Sequence, residues 1–306
     1  MENSISFFAK IQKIVRRPVF WILAGVFSLF AFLFGYLFAA PAEFPVNAVY
    51  KVEEGSPLGK ISLDLANLHL IRSRAAFEFF VTLAGGERRI KEGYYLFDQK
   101  IPVYTLGFRM ERGERHLSPI KITVPEGSDL KRIAEIFSAK LPLFDTAKFL
   151  IEGAGNEGYL FPDTYFFYSP ENEKDALKKM RDNFLKKAAP LFSEIKTSGP
   201  SEKDIIIMAS LLEKEAKGEE DRSIISGILW KRLAMGIPLQ VDAVPETYKK
   251  KGLPEKPVGN PGLGSIKDAL YPKSSPYLYY LHDKKGLAHY AATFAEHQKN
   301  IQRYLQ

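Results

Sequence analysis

The chain has 306 residues, of which 46% are hydrophobic and 26% charged, enough apolar material for one large or two ordinary domains and too much for a disordered or fibrous protein. The formal net charge is +7, yet four cations (Lys10, Lys13, Arg16 and Arg17) lie ahead of one uncharged stretch and the rest are spread without a basic block, which argues against a nucleic-acid binder. Cysteine is absent, so disulfides, thiol catalysis and Cys-ligated metal sites are excluded.

Residues 1–18 read as a short cytoplasmic N-terminus. Val19–Ala40 carries no ionisable side chain except Tyr36, and at about 1.5 Å per residue it reaches about 33 Å, enough to cross a bilayer. The preceding cations put the N-terminus inside and residues 41–306 outside. The run exceeds the apolar core of a signal peptide, and Pro41 beside Ala39-Ala40 disfavours cleavage, so the segment reads as an uncleaved anchor.

A repeat follows. Val52-Glu53-Glu54-Gly55-Ser56-Pro57-Leu58-Gly59-Lys60-Ile61 recurs as Val124-Pro125-Glu126-Gly127-Ser128-Asp129-Leu130-Lys131-Arg132-Ile133. Both copies predict a strand, a Gly turn and a Ser-capped helix with Leu and Ile three apart on the buried face. Glu92-Gly93-Tyr94-Tyr95-Leu96 is echoed by Glu157-Gly158-Tyr159-Leu160-Phe161, consistent with a small α/β module present twice. The pattern leaves open whether the second large domain starts near 120 or near 155.

After Tyr168 the texture turns helical. Glu171–Phe192 is charged and periodic, Ser201 with Asp204 forms a capping-box pattern, and the helix they open is apolar through Ile205, Met208, Ala209 and Leu212. Asp221–Met235 is a further helical run. Residues 236–276, rich in Pro and Gly, read as a long loop that needs a functional reason. Tyr277–Leu281 predicts a strand and Thr293–Leu305 a closing helix. The class is α+β.

Glu213 ends the apolar run IIIMASLLE at the border of its buried face. A carboxyl against apolar neighbours is a candidate general acid, because burial disfavours its charged form. The competing reading pairs it with Lys217 at i+4. Glu215 falls roughly opposite on the helix and reads as solvated. Tyr159, Phe161, Asp163 and Tyr165 belong to a dense aromatic segment, either a sugar-stacking groove or plain core. Gln240 and Asp242 alternate with apolar Leu239 and Val241, and Asn260 and Ser265 sit in the loop beyond; short polar groups of this kind suit acetamido and hydroxyl recognition or turns. His289, Thr293 and His297 are each four apart, which on a helix would place two imidazoles on one face. They lack the further ligands and the HExxH pattern of a zinc site, and no metal or cofactor is expected. Walker-A, GxSxG and GxGxxG signatures are also missing.

Taken together these blocks resemble the MltG, or YceG-like, family of endolytic transglycosylases. The resemblance rests on EGYLFPDTY at 157–165, on ASLLEKEA at 209–216, on Arg232-Leu233 followed by Gly236-Ile237-Pro238-Leu239-Gln240 and Asp242, on Gly252-Leu253-Pro254, Asn260-Pro261-Gly262 and Ser265-Ile266, and on Tyr277–Tyr280, His289, Thr293 and His297. It implies a single membrane helix at 19–40, a LysM-like module at 44–118, and a catalytic domain at 119–306 that contains a second LysM-like repeat at about 119–165. It further implies cofactor-free cleavage of the MurNAc-β-1,4-GlcNAc bond of nascent peptidoglycan strands with 1,6-anhydro ends. Glu213 would be the acid–base residue, and Tyr159, Phe161, Asp163, Tyr165, Glu215, Gln240, Asp242, Asn260, Ser265, His289, Thr293 and His297 would bind substrate. Peptidoglycan and the cell-wall synthases would be the partners, with no nucleic acid. The segment after Asp242 departs from the family pattern: Ala243-Val244-Pro245 follows, and a longer insertion is cut to a few residues. That departure leaves a second reading, a catalytically inactive peptidoglycan-binding scaffold.

Overall fold

The computed structural model describes residues 18–83, 85–86, 89–215 and 218–305. The cations at 10, 13, 16 and 17, and Ala216 and Lys217 beyond the Glu213 helix, lie outside them. The chain divides into two compact units, one ending at Ser118 and the other starting at Pro119.

Helix α1 (Pro18–Phe38) opens the first unit and has no buried residue. It is long and apolar enough to cross a membrane, with a mean hydropathy of 2.1. Next come β1 (Ala48–Val52), α2 (Leu58–Asn67), α3 (Arg74–Leu83), β2 (Gly93–Phe97) and α4 (Val103–Arg112). The strands pair antiparallel with Tyr50 opposite Tyr95. Ile61 and Leu65 of α2, four apart on one face, meet Phe77, Tyr95, Phe97, Leu106 and Met110 in a closed core.

The second unit begins with the same order of elements: β3 (Ile120–Thr123), α5 (Leu130–Ser138), α6 (Thr146–Gly153) and β4 (Thr164–Phe167). Here Ile122 faces Tyr165 across an antiparallel pair, and Ile133, Phe137, Phe149 and Phe167 close the core. The caps differ from the expected serines. In α5 the Asp129 side chain accepts the Arg132 N–H, while Ser128 Oγ turns back to the Pro125 carbonyl at 2.7 Å. In α2 the capping position is Pro57, which has no side-chain donor or acceptor. The Glu-Gly-Tyr echo also falls at unequal places: Gly93–Phe97 is strand β2, whereas Glu157–Phe161 is the approach to β4.

The remainder is mostly helical: α7 (Glu173–Ser198), α8 (Glu202–Glu215), α9 (Glu219–Ala234), α10 (Leu263–Leu270), a hairpin of β5 (Tyr279–His282) and β6 (Ala288–Ala291), and α11 (Phe294–Tyr304). Ser201 and Asp204 form the expected box, with the Asp204 N–H on Ser201 Oγ and the Ser201 N–H on Asp204 Oδ2. Helix α8 is buried on every side from Ile205 to Leu212 rather than on one face, so it is the central rod of this unit. Helix α9 lies so close to the segment after α10 that a Cβ on Gly227 would fall 2.1 Å from the Lys273 carbonyl oxygen. The expected long loop holds α10, whose Ile266, Ala269 and Leu270 are buried, and a 3₁₀ turn at Pro245–Tyr248.

Candidate functional site

Because α8 is enclosed from Ile205 to Leu212, the two carboxylates of its last turn, Glu213 and Glu215, emerge only at its C-terminal end, and they emerge into different surroundings. Glu213 turns toward α10, where its Oε2 accepts the Gly262 N–H at 2.9 Å. Glu126 comes close to the same turn, since a Cβ on Gly262 would land 1.8 Å from its Oε1. Burial, then the Glu213 charge, push the Glu126 carboxyl above the usual carboxylate range, against the opposing pull of Arg222. Glu213 therefore serves the N-terminus of α10, where free N–H groups favour negative charge, and Glu126 lies beside it.

Glu215 lines a cleft of about 400 Å³. The half-buried carboxylate is held at both oxygens, by the Ala243 N–H at 3.1 Å and the Tyr280 hydroxyl at 3.1 Å. Its expected solvated position is thus corrected. Gln240 and Asp242 line the same cleft, while Leu239 and Val241 are fully buried. Gln240 has φ of 55°, a left-handed conformation that non-glycine residues seldom adopt. Two anchors hold this bend: the Gln240 N–H donates to the Thr247 carbonyl at 3.1 Å, and Thr247 Oγ1 accepts the Val241 N–H at 2.9 Å. The shortened segment after Asp242 thus closes into a tight turn, and its Tyr248 enters the cleft and donates its hydroxyl to Asp242 Oδ1.

Arg232, only 5% exposed, ties the floor together. Its Nη2 donates to Gln240 Oε1, its Nε to the Pro238 carbonyl at 2.9 Å and its Nη1 to the Leu278 carbonyl at 3.3 Å. Burial lowers the guanidinium pKa, but the group remains charged at any ordinary pH. Burial, then the Glu215 charge, raise the Tyr280 phenol well above its ordinary value. Burial and the hydrogen bond to Asp242 push Tyr248 up to about 12. Both phenols stay protonated, so each carboxylate in the cleft faces a fixed donor. On the opposite wall His297 stacks on Tyr279 with ring centroids 5.3 Å apart. Its pKa is lowered by burial and then by the Arg232 charge. His297 Nδ1 and the Nε2 of His282, which also lines the cleft, are buried without a hydrogen-bond partner.

The other expected binding residues are placed elsewhere, most of them engaged by other parts of the fold. Tyr159 packs edge-on against Phe184, and Phe161 is core. Asp163 is engaged by Lys187 at 2.7 Å and Asn183 at 2.9 Å, while the Tyr165 ring is buried in the β3–β4 module. Asn260 is fully buried: its Oδ1 accepts the Gly158 and Leu160 N–H groups, and its Nδ2 donates to the Ser128 carbonyl and Glu157. Ser265 is buried in α10. His289 lies in β6, stacked on Tyr304 and bonded to Asp283, and Thr293 caps α11. The four-residue spacing from His289 to His297 therefore spans a strand, a cap and a helix, and the two imidazoles do not share a helical face. Sequence reasoning passed over Tyr248 and His282, and it placed Tyr280 in a strand and in the closing block of the resemblance. The signal available was alternation along β5, which pairs Tyr280 with His282.

A model of the YceG-like family matches residues 50–245 and 246–303. A Bacillus subtilis (strain 168) protein named endolytic murein transglycosylase is 27% identical, the match covering 90% of each chain. A protein of the same name from Streptococcus pneumoniae (strain D39) is 25% identical over 89% of this chain, which spans 62% of that longer protein. The crystal structure of a YceG-like protein from Listeria monocytogenes superposes with a TM-score of 0.54 and 26% identity, covering 83% of this chain and 98% of that one. The family match runs through the cleft and both strand–helix–helix–strand modules, and the chain belongs to the YceG-like family.

Proposed function

We propose that the protein is a membrane-anchored lytic transglycosylase that cuts peptidoglycan strands internally, with Glu215 rather than Glu213 as its acid–base residue. The observation that carries the choice is the position of Glu215 in the cleft with Gln240, Asp242 and Arg232, while Glu213 is committed to the Gly262 N–H. The names of the relatives support the reaction class. Protonated Glu215 gives its proton to the glycosidic oxygen as the bond from the muramic-acid C1 breaks. As carboxylate it then takes the proton of the muramic-acid 6-hydroxyl, whose oxygen bonds to C1 and closes the 1,6-anhydro ring. No water is consumed. The nucleophile is already part of the substrate, so one carboxylate serves both steps and the attack gains from proximity. The Tyr280 hydroxyl and Ala243 N–H hold the carboxylate in place between the two transfers.

In this reading α1 is the single membrane span, the N-terminus is cytoplasmic and the catalytic unit faces the cell wall. The strand–helix–helix–strand modules are LysM-like, and the cell-wall synthases that make new strands are the working partners. Asp242 supports a second reading, a muramidase in which it places an attacking water.

The test is mass spectrometry of glycan products from uncrosslinked peptidoglycan treated with the detergent-solubilised full chain, Glu215→Gln and Glu213→Gln. Internal fragments ending in 1,6-anhydromuramic acid, reduced at least about 100-fold by Glu215→Gln as for loss of a general acid and retained in Glu213→Gln, are the expected result. Fragments heavier by one water identify the muramidase. Loss of cleavage in Glu213→Gln alone returns the role to Glu213. Strands bound and left uncut by the wild type identify the inactive scaffold.

A further inference from the structure

Helices α3 and α4 each carry a second apolar stripe that faces away from the core of the first unit. On α3 the core side is Phe77 and Val81, while Phe79 and Leu83, four residues apart, are 59% and 72% exposed. On α4 the core side is Leu106 and Met110, while Tyr104 and Phe108 are 44% and 42% exposed. The stripes merge through Phe80, whose ring lies 5.7 Å from Phe79 and 6.0 Å from Tyr104. Isolated exposed apolar residues are ordinary, whereas a contiguous aromatic patch marks an interaction surface.

What covers the patch follows from where it connects. The Phe80 ring is also 5.0 Å from Phe38, the last residue of α1, and the Phe38 ring lies 4.0 Å from that of Phe34. One run of rings therefore leads from the membrane-length helix onto the outer face of α3 and α4. Cations rim it: Arg72 lies 4.1 Å above the Tyr36 ring and bonds the Ala40 carbonyl, and Arg112 lies over Phe108. Aromatic rings bordered by arginines at the end of a span match the chemistry of the headgroup layer, where amphipathic rings are favoured and cations meet anionic lipid.

We propose that the Phe79–Leu83 and Tyr104–Phe108 stripes lie in the lipid headgroup layer of the bilayer that α1 crosses, so that the first unit rests on the membrane surface instead of hanging from it by a tether. The inference rests on reading α1 as a membrane span, and its test separates the two. The full chain carrying Trp21→Phe, Trp230→Phe and Phe79→Trp is reconstituted in vesicles of phosphatidylglycerol and phosphatidylethanolamine, with lipids brominated at shallow or deep chain positions. A second chain carries Trp230→Phe alone and keeps Trp21 as its reporter. The expected result is strong quenching of Trp21 and about half the emission of the Phe79→Trp indole lost to shallow bromines, given burial of such faces about 5–10 Å into the boundary. Leu83→Trp in the same background repeats this, while Val49→Trp, exposed on β1 and not part of the patch, keeps its emission. Quenching of Trp21 with none at 79 and 83 overturns the proposal and leaves the anchor standing. Emission at 79 that is unquenched and shifts blue with protein concentration assigns the patch to a second copy of the chain and also overturns it. An unquenched Trp21 refutes the span and the proposal together.

Discussion

Asn260→Ala separates a structural asparagine from a substrate-binding one, and the structure sets the size of the effect. Asn260 Oδ1 accepts the Gly158 N–H at 2.9 Å and the Leu160 N–H at 2.8 Å, and its Nδ2 donates to the Ser128 carbonyl at 3.0 Å and Glu157 Oε1 at 2.8 Å. The side chain thus joins the turn before α5, the approach to β4 and the turn before α10. Alanine leaves two buried N–H groups without an acceptor, at about 1–3 kcal/mol each, and withdraws one donor from Glu157. Glu157 is already raised above the usual carboxylate range by burial, so it has little to spare. A loss of about 4 kcal/mol corresponds to a melting temperature lower by roughly 8–16 °C for a unit of this size. Thermal unfolding of the detergent-solubilised full chain followed by far-UV circular dichroism measures it. A drop below about 1 kcal/mol would mean that water reaches the two N–H groups and would refute the buried bridge. Unchanged stability with abolished turnover would return Asn260 to the substrate site.

Two further outcomes follow from the cleft and from the hairpin. Tyr280→Phe removes one of the two donors on Glu215 and should lower kcat about 10–100-fold with little change in KM, the equivalent of a hydrogen bond to a charged group at roughly 1.5–3 kcal/mol; unchanged kcat on oligomeric glycan refutes the positioning role. Asp283 is lowered from 3.8 to about 2, first by the hydrogen bond from His289 and then by the Leu287 and Lys285 N–H groups. A carboxyl lowered on folding contributes stability in full above its unfolded value near 4, and that contribution is lost as pH falls through about 2. Asp283→Asn should therefore lower the urea midpoint at pH 7 and converge with wild type near pH 2. A difference that persists at pH 2 contradicts the assignment.

The apolar N-terminal helix, the repeated module and the central helix are legible in the sequence, because each follows from local periodicity or composition, whereas helix α10 within the expected loop and the Asp129 and Pro57 caps are not. Gln240 and Asp242 stand out in the sequence beside apolar Leu239 and Val241, but their shared place in the cleft comes with a left-handed bend at Gln240 that simple alternation does not predict. The choice between Glu213 and Glu215 was not available there. Periodicity says that the two carboxylates point apart and not which one meets the cleft. That depends on partners distant in sequence, the Gly262 N–H on one side and Ala243 with Tyr280 on the other. Asn260, Asp163 and His289 look alike as polar residues in a family pattern, and only packing assigns them to a buried bridge, an ion pair and a hairpin. Local sequence thus determined which elements form, and tertiary structure decided which of their side chains meet, because a cleft is built from segments whose proximity is set by the packing of the whole unit.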